Sequence, residues 1–100
     1  MDVFRMADIF KGEKCIGGKA SGSFARNELE IKLAKSPVVV DFESVEMITQ
    51  SFCDEFLGPI LQHEGQDILK SLKFKNCSED VQAIILSTAG RFLSQNKAVS

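Results

Sequence analysis

The spacing of hydrophobic residues changes repeatedly along the chain, and these changes predict an alternation of strands and helices. Residues 3–10 and 68–75 alternate between apolar and polar side chains, which is typical of half-buried β-strands. The alternation is imperfect in residues 3–10, where a short helix is the alternative. Lys73 and Lys75 project from the second segment, which therefore fits a strand at or near the edge of a sheet.

Apolar side chains recur at helical spacing in the segments 24–35, 51–64 and 79–93. Hydroxyl side chains that can cap a helix stand at their starts: Ser23, then Ser51 or Thr49, then Ser78. Gly58 and Pro59 interrupt the middle segment, which predicts a kink or a break into two short helices. The glycine-rich residues 11–23 are expected to form a loop with a brief strand near residues 14–16.

The clearest element is the apolar run at residues 37–42, which contains three consecutive valines. Such a run suits a parallel strand that is buried on both faces, so we expect a central strand with helices above and below it. Asp41 then lies at the carboxyl end of the strand, where binding sites gather in open α/β sheets. Its carboxylate is expected to accept backbone N–H bonds from the following loop rather than to act as a catalytic acid.

Strands that alternate with helices in this order indicate an α/β fold. We expect a single layered domain over residues 1–100, with a polar tail that frays from about residue 94. Its sheet should be mostly parallel with about four strands (roughly three to five), and about three helices should pack on it.

Composition and charge narrow the range of functions. The chain has 100 residues, with 12 basic and 14 acidic side chains and a formal net charge of −2. This balance gives no electrostatic reason to expect a nucleic acid partner. Charged residues interrupt the N-terminal segment and no apolar run is long enough to span a membrane, so we expect a cytoplasmic protein. Three scattered cysteines and a single histidine offer no zinc-binding set, and no metal or cofactor is expected.

One stretch carries a recognisable pattern. A strand ends in Val-Asp-Phe at residues 40–42, Val45 follows, and Ser-Phe-x-Asp-Glu opens a helix at residues 51–55. Residues 73–78 then read as a closing strand and an Asn turn before the last helix. The pattern resembles the STAS superfamily (sulfate transporter and anti-sigma-factor antagonist domains), and most closely its bacterial STAS-like family of unknown function. The resemblance implies a STAS-like α/β fold.

In anti-sigma-factor antagonists, a serine at the start of the equivalent helix is phosphorylated by a partner kinase. An ungapped alignment from Asp41 puts Gln50 at the usual acceptor position, with Thr49 before it and Ser51 after it. Ser51 or Thr49 could accept phosphate instead. Because acidic residues nearby would repel a phosphate, the sequence favours Ser51 as a helix cap.

The leading hypothesis is a protein-interaction module without catalysis, which docks a regulatory partner through residues 43–58. By resemblance, that partner is an ATP-binding protein of the histidine-kinase-like ATPase type. Four carboxylates would give the surface a negative potential that suits a basic groove. The residues assigned to docking are Glu43, Glu46, Thr49, Gln50, Ser51, Asp54 and Glu55.

Two alternatives stay open. One is a phospho-switch that accepts phosphate on Ser51 or Thr49. The other is a small thiol enzyme that uses Cys53, because the first turn of a helix lowers the pKa of a thiol. Asp54 and Glu55 directly follow this cysteine, and they favour a packing role for it.

Overall fold

The computed structural model describes the backbone of residues 1–98 and the side chains of residues 1–94. Strands and helices alternate along most of the chain, as the hydrophobic pattern predicts, but residues 3–10 divide between a strand and a short helix, and two strands follow residue 37 with no helix between them. In order they are β1 (Asp2–Arg5), α1 (Met6–Ile9), β2 (Cys15–Ile16), α2 (Lys19–Leu33), β3 (Val38–Asp41), β4 (Met47–Ile48), α3 (Gln50–Glu64), a 3₁₀ helix (Gly65–Lys70), β5 (Leu72–Lys75) and α4 (Glu79–Ala98).

The strands form two parallel sheets. The main sheet has the order β1-β3-β5, so the predicted central position of the valine strand and the edge position of β5 are both confirmed. A second sheet pairs β2 with β4. The expected single sheet of about four strands is therefore divided into sheets of three and two strands, and the described chain has four α-helices rather than three. The division arises because β4 lies in the connector after β3 and pairs with the loop strand β2.

Helices α2, α3 and α4 pack side by side on one face of the main sheet, with α3 in the middle. Phe4, Val38 and Val40 point into this layer and are at most 1% exposed. The rings of Phe4 and Phe56 meet there with their centroids 6.1 Å apart, which joins β1 to α3. The hydrophobic core of the domain is thus the single layer between sheet and helices.

Within the described residues no helix packs on the centre of the opposite face, and Val39 is only half-buried, so the prediction that the valine strand is buried on both faces is wrong. The side chains on this face are only half-buried or are charged, apart from one buried carboxylate. Register places them in two rows across the three strands, and we call this set the open face: Val3, Val39 and Lys73, then Arg5, Asp41 and Lys75.

Two helix starts differ from the prediction. Helix α2 begins at Lys19, after Gly18 in a left-handed conformation (φ 93°), so Ser23 lies inside the helix and does not cap it. At α3 the cap is Thr49, whose Oγ1 accepts a hydrogen bond from the Phe52 N–H at 3.2 Å. Ser51 lies inside the first turn of α3, so its predicted role as the cap is wrong.

Helix α3 continues through Pro59, and the predicted break into two helices is wrong. Proline lacks the N–H that would bond to the carbonyl group four residues earlier, which is that of Glu55. Arg26 of α2 donates to this carbonyl oxygen instead. A side chain from the neighbouring helix therefore satisfies the acceptor that the proline leaves without a partner, and the helix tolerates the interruption.

The C-terminal part follows the prediction more closely. Strand β5 starts at Leu72, because the residues before it form the 3₁₀ helix rather than strand. Ser78 caps α4 as predicted, since its Oγ accepts from the Val81 N–H at 3.0 Å. The backbone of α4 is helical to Ala98, so it extends into the segment assigned to a frayed tail. Residues 99 and 100 of that predicted tail lie outside the described residues.

Candidate functional site

Asp41 anchors the candidate site at the carboxyl end of β3. It is 5% exposed, and it accepts hydrogen bonds from the Glu43 N–H and from Asn76 Nδ2, both at 2.9 Å. Burial opposes ionisation of this carboxylate. The hydrogen bonds from Asn76 and Glu43, with the charges of Lys75 and Arg5, outweigh burial and hold its pKa below the ordinary value. The expected bond to the following loop is thus present.

The connector between β3 and α3 is fixed by backbone hydrogen bonds. The Val45 N–H donates to the Phe42 carbonyl at 2.9 Å, and the Glu46 N–H donates to the Lys14 carbonyl at 2.8 Å. Ser78 Oγ, which also caps α4, donates to the Glu46 carbonyl at 2.8 Å. One bond within the connector and two bonds from separate parts of the chain, at Lys14 and Ser78, therefore hold it in one conformation.

The connector buries its Phe42, Val45 and Ile48 side chains in the core and presents its other side chains to solvent. Glu43, Ser44, Glu46 and Met47 are exposed, and Met47 is 38% exposed although it is apolar. Beside them lies an open cleft of about 580 Å³, whose lining includes Lys14, Asn76 and Cys77 as well as the connector. The connector is thus held by hydrogen bonds and buried apolar side chains, while its polar side chains and Met47 are presented to solvent.

At the start of α3, the two candidate phosphate acceptors, Thr49 and Ser51, and the Gln50 between them lie in different environments. Thr49 Oγ1 is occupied, because it accepts from the Phe52 N–H and from the Gly18 N–H at 3.3 Å. Gln50 turns toward α4, where its Nε2 donates to Thr88 Oγ1 at 2.8 Å. Ser51 is exposed, and its hydroxyl lies 3.2 Å from that of Thr49. Ser51 is therefore the accessible hydroxyl of this segment.

Asp54 is bound to α4. It accepts from Arg91 in an ion pair, and from Thr88 Oγ1 and Gln50 Nε2, each at 2.9 Å. Burial opposes its ionisation, but the hydrogen bonds from Arg91, Gln50 and Thr88 and the Arg91 charge lower its pKa below the ordinary value. The carboxylate thus links α3 to α4 instead of facing a partner freely.

The other carboxylates assigned to docking are separated from Asp54. Glu55 lies on the side of α3 that faces α2, with its Oε2 3.4 Å from Arg26 Nη1. Glu46 lies 3.8 Å from Lys14 in an exposed pair. The structure therefore divides the four carboxylates: Glu43 and Glu46 lie on the exposed connector, and the other two bind neighbouring helices.

Cys53 has the surroundings of a packing residue. It is 0% exposed, and burial raises its pKa to about 11, with a further contribution from the Asp54 charge. A thiol that stays protonated is a poor nucleophile, so this geometry disfavours the thiol-enzyme alternative. Cys15 is exposed instead.

The described residues form neither a metal-binding cluster nor a membrane-spanning helix. Within that part of the chain, no group of three or more His, Cys, Asp or Glu side chains is arranged to hold a metal ion. None of the helices that the structure describes has the length and apolar character needed to cross a membrane.

Several residues that build the site were not anticipated from the sequence. Arg26 and Arg91 come from α2 and α4, and each binds a carboxylate of α3. A signal for Arg26 existed in Pro59, because an interior proline leaves the carbonyl four residues earlier without its usual donor. No comparable local signal marked Arg91, which lies 37 residues from Asp54 in the chain.

Comparison with known proteins agrees with this architecture. A family model described as a STAS-like domain of unknown function (DUF4325) matches residues 24–82, which is more than half of the chain. No curated protein matches the chain, and no solved structure does. The matched segment contains β3, the fixed connector, α3, β5 and the start of α4. The chain therefore belongs to the family of STAS-like domains of unknown function.

Proposed function

We propose that the chain is a non-catalytic protein-interaction module that docks a regulatory partner through residues 43–58. The observation that supports this best is the connector, which is fixed by backbone hydrogen bonds while Glu43, Glu46 and Met47 stay exposed. A surface that is already ordered loses little conformational entropy on binding, so more of the contact energy contributes to affinity. Carboxylates around a partly exposed apolar side chain are also suited to a polar rim and an apolar centre.

The proposed partner is an ATP-binding protein of the histidine-kinase-like ATPase type. Support comes from membership of the STAS-like family and from the resemblance of this segment to anti-sigma-factor antagonists. The exposed Glu43 and Glu46 suit a basic groove on such a partner, and complementary charge mainly raises the association rate at low salt.

The residues of the surface divide into contact residues and supporting residues. Glu43, Glu46 and Ser51 are exposed and available for contact. Asp54 and Glu55 hold α3 against its neighbours through Arg91 and Arg26. Charge reversal at the supporting pair would therefore disturb helix packing, and the docking test belongs at the connector.

The test is titration calorimetry of the intact chain against a candidate ATPase, with and without nucleotide. The variant Glu43→Lys/Glu46→Lys should weaken binding by about tenfold or more, because each substitution replaces an attraction by a repulsion. The control is Asp67→Lys, which makes the same kind of charge reversal once instead of twice, in the 3₁₀ helix that precedes β5 and thus at the amino end of the sheet. Circular dichroism checks that both variants fold.

Three results of this titration contradict the proposal. If the double variant binds as tightly as the unmodified chain, the docking surface lies elsewhere. Equal weakening by Asp67→Lys would show only a dependence on overall charge. Absence of binding in every nucleotide state would reject this class of partner.

A phospho-switch on Ser51 is the second candidate, and the exposure of that hydroxyl at the start of α3 favours it. A phosphate there would meet the positive end of the helix dipole, and the nearest acidic side chain on the helix, Asp54, is already paired with Arg91. Incubation with the ATPase and ATP should then add about 80 Da to the intact mass, the mass of one phosphoryl group. Ser51→Ala should abolish the addition, whereas retention of the added mass in this variant would point to Thr49 or another acceptor.

A further inference from the structure

The open face is an exposed surface that carries both apolar and basic side chains. In its first row Val3 lies beside Val39, and Val39 lies beside Lys73. Both valines are only half-buried, and neither belongs to the described core or to the residues that pack against it. Across the second row the side chains of Arg5 and Lys75 are 61% and 49% exposed. Ala7 of α1 lines a small pocket beside Arg5 and Asp41, but within the described residues no helix packs on the two valines.

An uncovered face is unusual for a sheet of this type. Parallel sheets occur almost only with both faces covered, because their strands are apolar on both sides. In β3 the pattern holds, since Val39 is as apolar as the buried Val38 and Val40 on the other face. Val39 is only half-buried, so an apolar group that packs on it would remove its remaining surface from water. The sequence of β3 is therefore suited to a second covering layer.

The dimensions of the open face suit one helix. Three strands lie about 4.8 Å apart, so the centres of the outer strands are about 10 Å apart. An α-helix with its side chains is about 10–12 Å wide. Strands of four residues are about 13 Å long, which corresponds to between two and three helical turns.

The charge of the open face indicates what kind of helix would bind to it. Three side chains of the face are basic and one is acidic, so the face carries a net charge of +2. Asp41 Oδ2 lies 3.9 Å from Arg5 and 4.0 Å from Lys75, so one carboxylate is shared by two cations and Lys73 adds a third. The whole chain has a net charge of −2. The face is thus a basic area on an acidic protein, and two copies facing each other would repel.

We propose that the open face docks an acidic amphipathic helix of a partner protein. The apolar stripe of that helix packs on Val3 and Val39, and its carboxylates lie against Lys73, Lys75 and Arg5. This second surface is separate from the docking surface at residues 43–58, and it does not depend on the function proposed for that surface.

The experiment uses two synthetic peptides of about 18 residues, a length of about 27 Å as a helix. Both carry leucine at helical spacing on one side. One has glutamate on its flanks, and the matched peptide has lysine at the same positions. Binding to the intact chain is followed by the methyl resonances of valine. The glutamate peptide should shift the methyl resonances of Val3 and Val39 and leave those of Val38 and Val40 unchanged, because the latter two residues lie on the covered face.

Charge variants of the chain test the electrostatic part of the inference. Lys73→Glu/Lys75→Glu should lower the affinity for the glutamate peptide by about tenfold, because two attractions become repulsions. The same variant should raise the affinity for the lysine peptide. The control is Lys70→Glu, an exposed residue of the 3₁₀ helix outside the sheet. Lys75 also lies 4.0 Å from Asp41, so Lys73→Glu alone is measured beside the double variant and should weaken binding without disturbing that pair. Positions 70, 73 and 75 are exposed, and circular dichroism checks that each variant folds.

Other results would overturn the inference. If neither peptide shifts the methyl resonances of Val3 or Val39, the open face does not bind a helix. Equal affinity for both peptides would show that the basic residues of the open face do not contribute to binding. Light scattering could also show a dimer that Lys73→Glu/Lys75→Glu leaves intact and Val39→Glu dissociates. A second copy, and not an acidic helix, would then cover the face.

Discussion

Replacing Gly22 with alanine should destabilise the fold, because a methyl group at this position has no space between α2 and α3. An added Cβ would lie 2.5 Å from the Phe52 carbonyl oxygen and 2.8 Å from Glu55 Cβ. Carbon and carbonyl oxygen atoms normally approach to about 3.3 Å, so the two helices would have to separate by nearly 1 Å. The bond from Arg26 to the Glu55 carbonyl would be stretched by the same movement.

Two effects of opposite sign determine the size of this change. Overpacking of this kind costs about 1–3 kcal/mol, whereas alanine in place of glycine inside a helix contributes about 0.5–1 kcal/mol of stability. Because the first contact is with rigid backbone, we expect a net loss of about 1–2 kcal/mol. For a domain of this size that corresponds to a melting temperature lower by about 5–15 °C.

The assay is urea and thermal unfolding followed by circular dichroism, with Gly90→Ala as the matched control. Gly90 also lies in a helix, but no atom comes within 4 Å of its added Cβ. Only the helix preference changes there, so this variant should gain about 0.5–1 kcal/mol. If Gly22→Ala gained stability to the same extent, α2 and α3 would not approach as closely as described, and the reasoning would be refuted.

Three further predictions concern the helix start, the buried carboxylate and the cysteines. Thr49→Ala should lose about 1 kcal/mol of unfolding free energy because it removes the cap of α3, whereas Ser51→Ala should change little; equal losses in urea unfolding would contradict this assignment. The lowered pKa of Asp54 means that its contribution to stability is present above its unfolded pKa of about 3.9 and is lost as pH falls through the lower folded value. Acid titrations should show a smaller loss of stability below about pH 4 in Asp54→Asn, and an unchanged loss would assign the acid sensitivity to other groups. Iodoacetamide at mildly alkaline pH should modify the exposed Cys15 before the buried Cys53, as followed by peptide mass spectrometry; the reverse order would revive the thiol-enzyme alternative.

The sequence predicted the central part of the site well because the signals there are local. Consecutive valines identified β3, and a carboxylate after a strand predicted the bond that Asp41 accepts from the Glu43 N–H. Ser78 before an acidic first turn likewise predicted the cap of α4. Each of these features involves residues close together in the chain, so composition and spacing were sufficient to find them.

The surroundings of the acidic residues could not be predicted from the sequence in the same way. Asp54 and Glu55 are neighbours in the sequence, but on a helix adjacent residues point about 100° apart. One therefore contacts α4 through Arg91 and the other contacts α2 through Arg26. A carboxylate contributes to an exposed potential where the fold leaves its side chain in solvent, as it does for Glu43 and for Glu46, whose pair with Lys14 is itself exposed.

What the sequence alone determined is the alternation of strands and helices, the central place of β3, and the membership of its segment in a recognisable pattern. Tertiary structure alone decided that α3 continues past Pro59, because the required donor, Arg26, lies in another helix. It also decided that Val39 is left uncovered while Val38 and Val40 are buried. An apolar strand specifies that its side chains favour burial, but whether each face is covered depends on where the helices pack, and that depends on contacts between residues far apart in the chain.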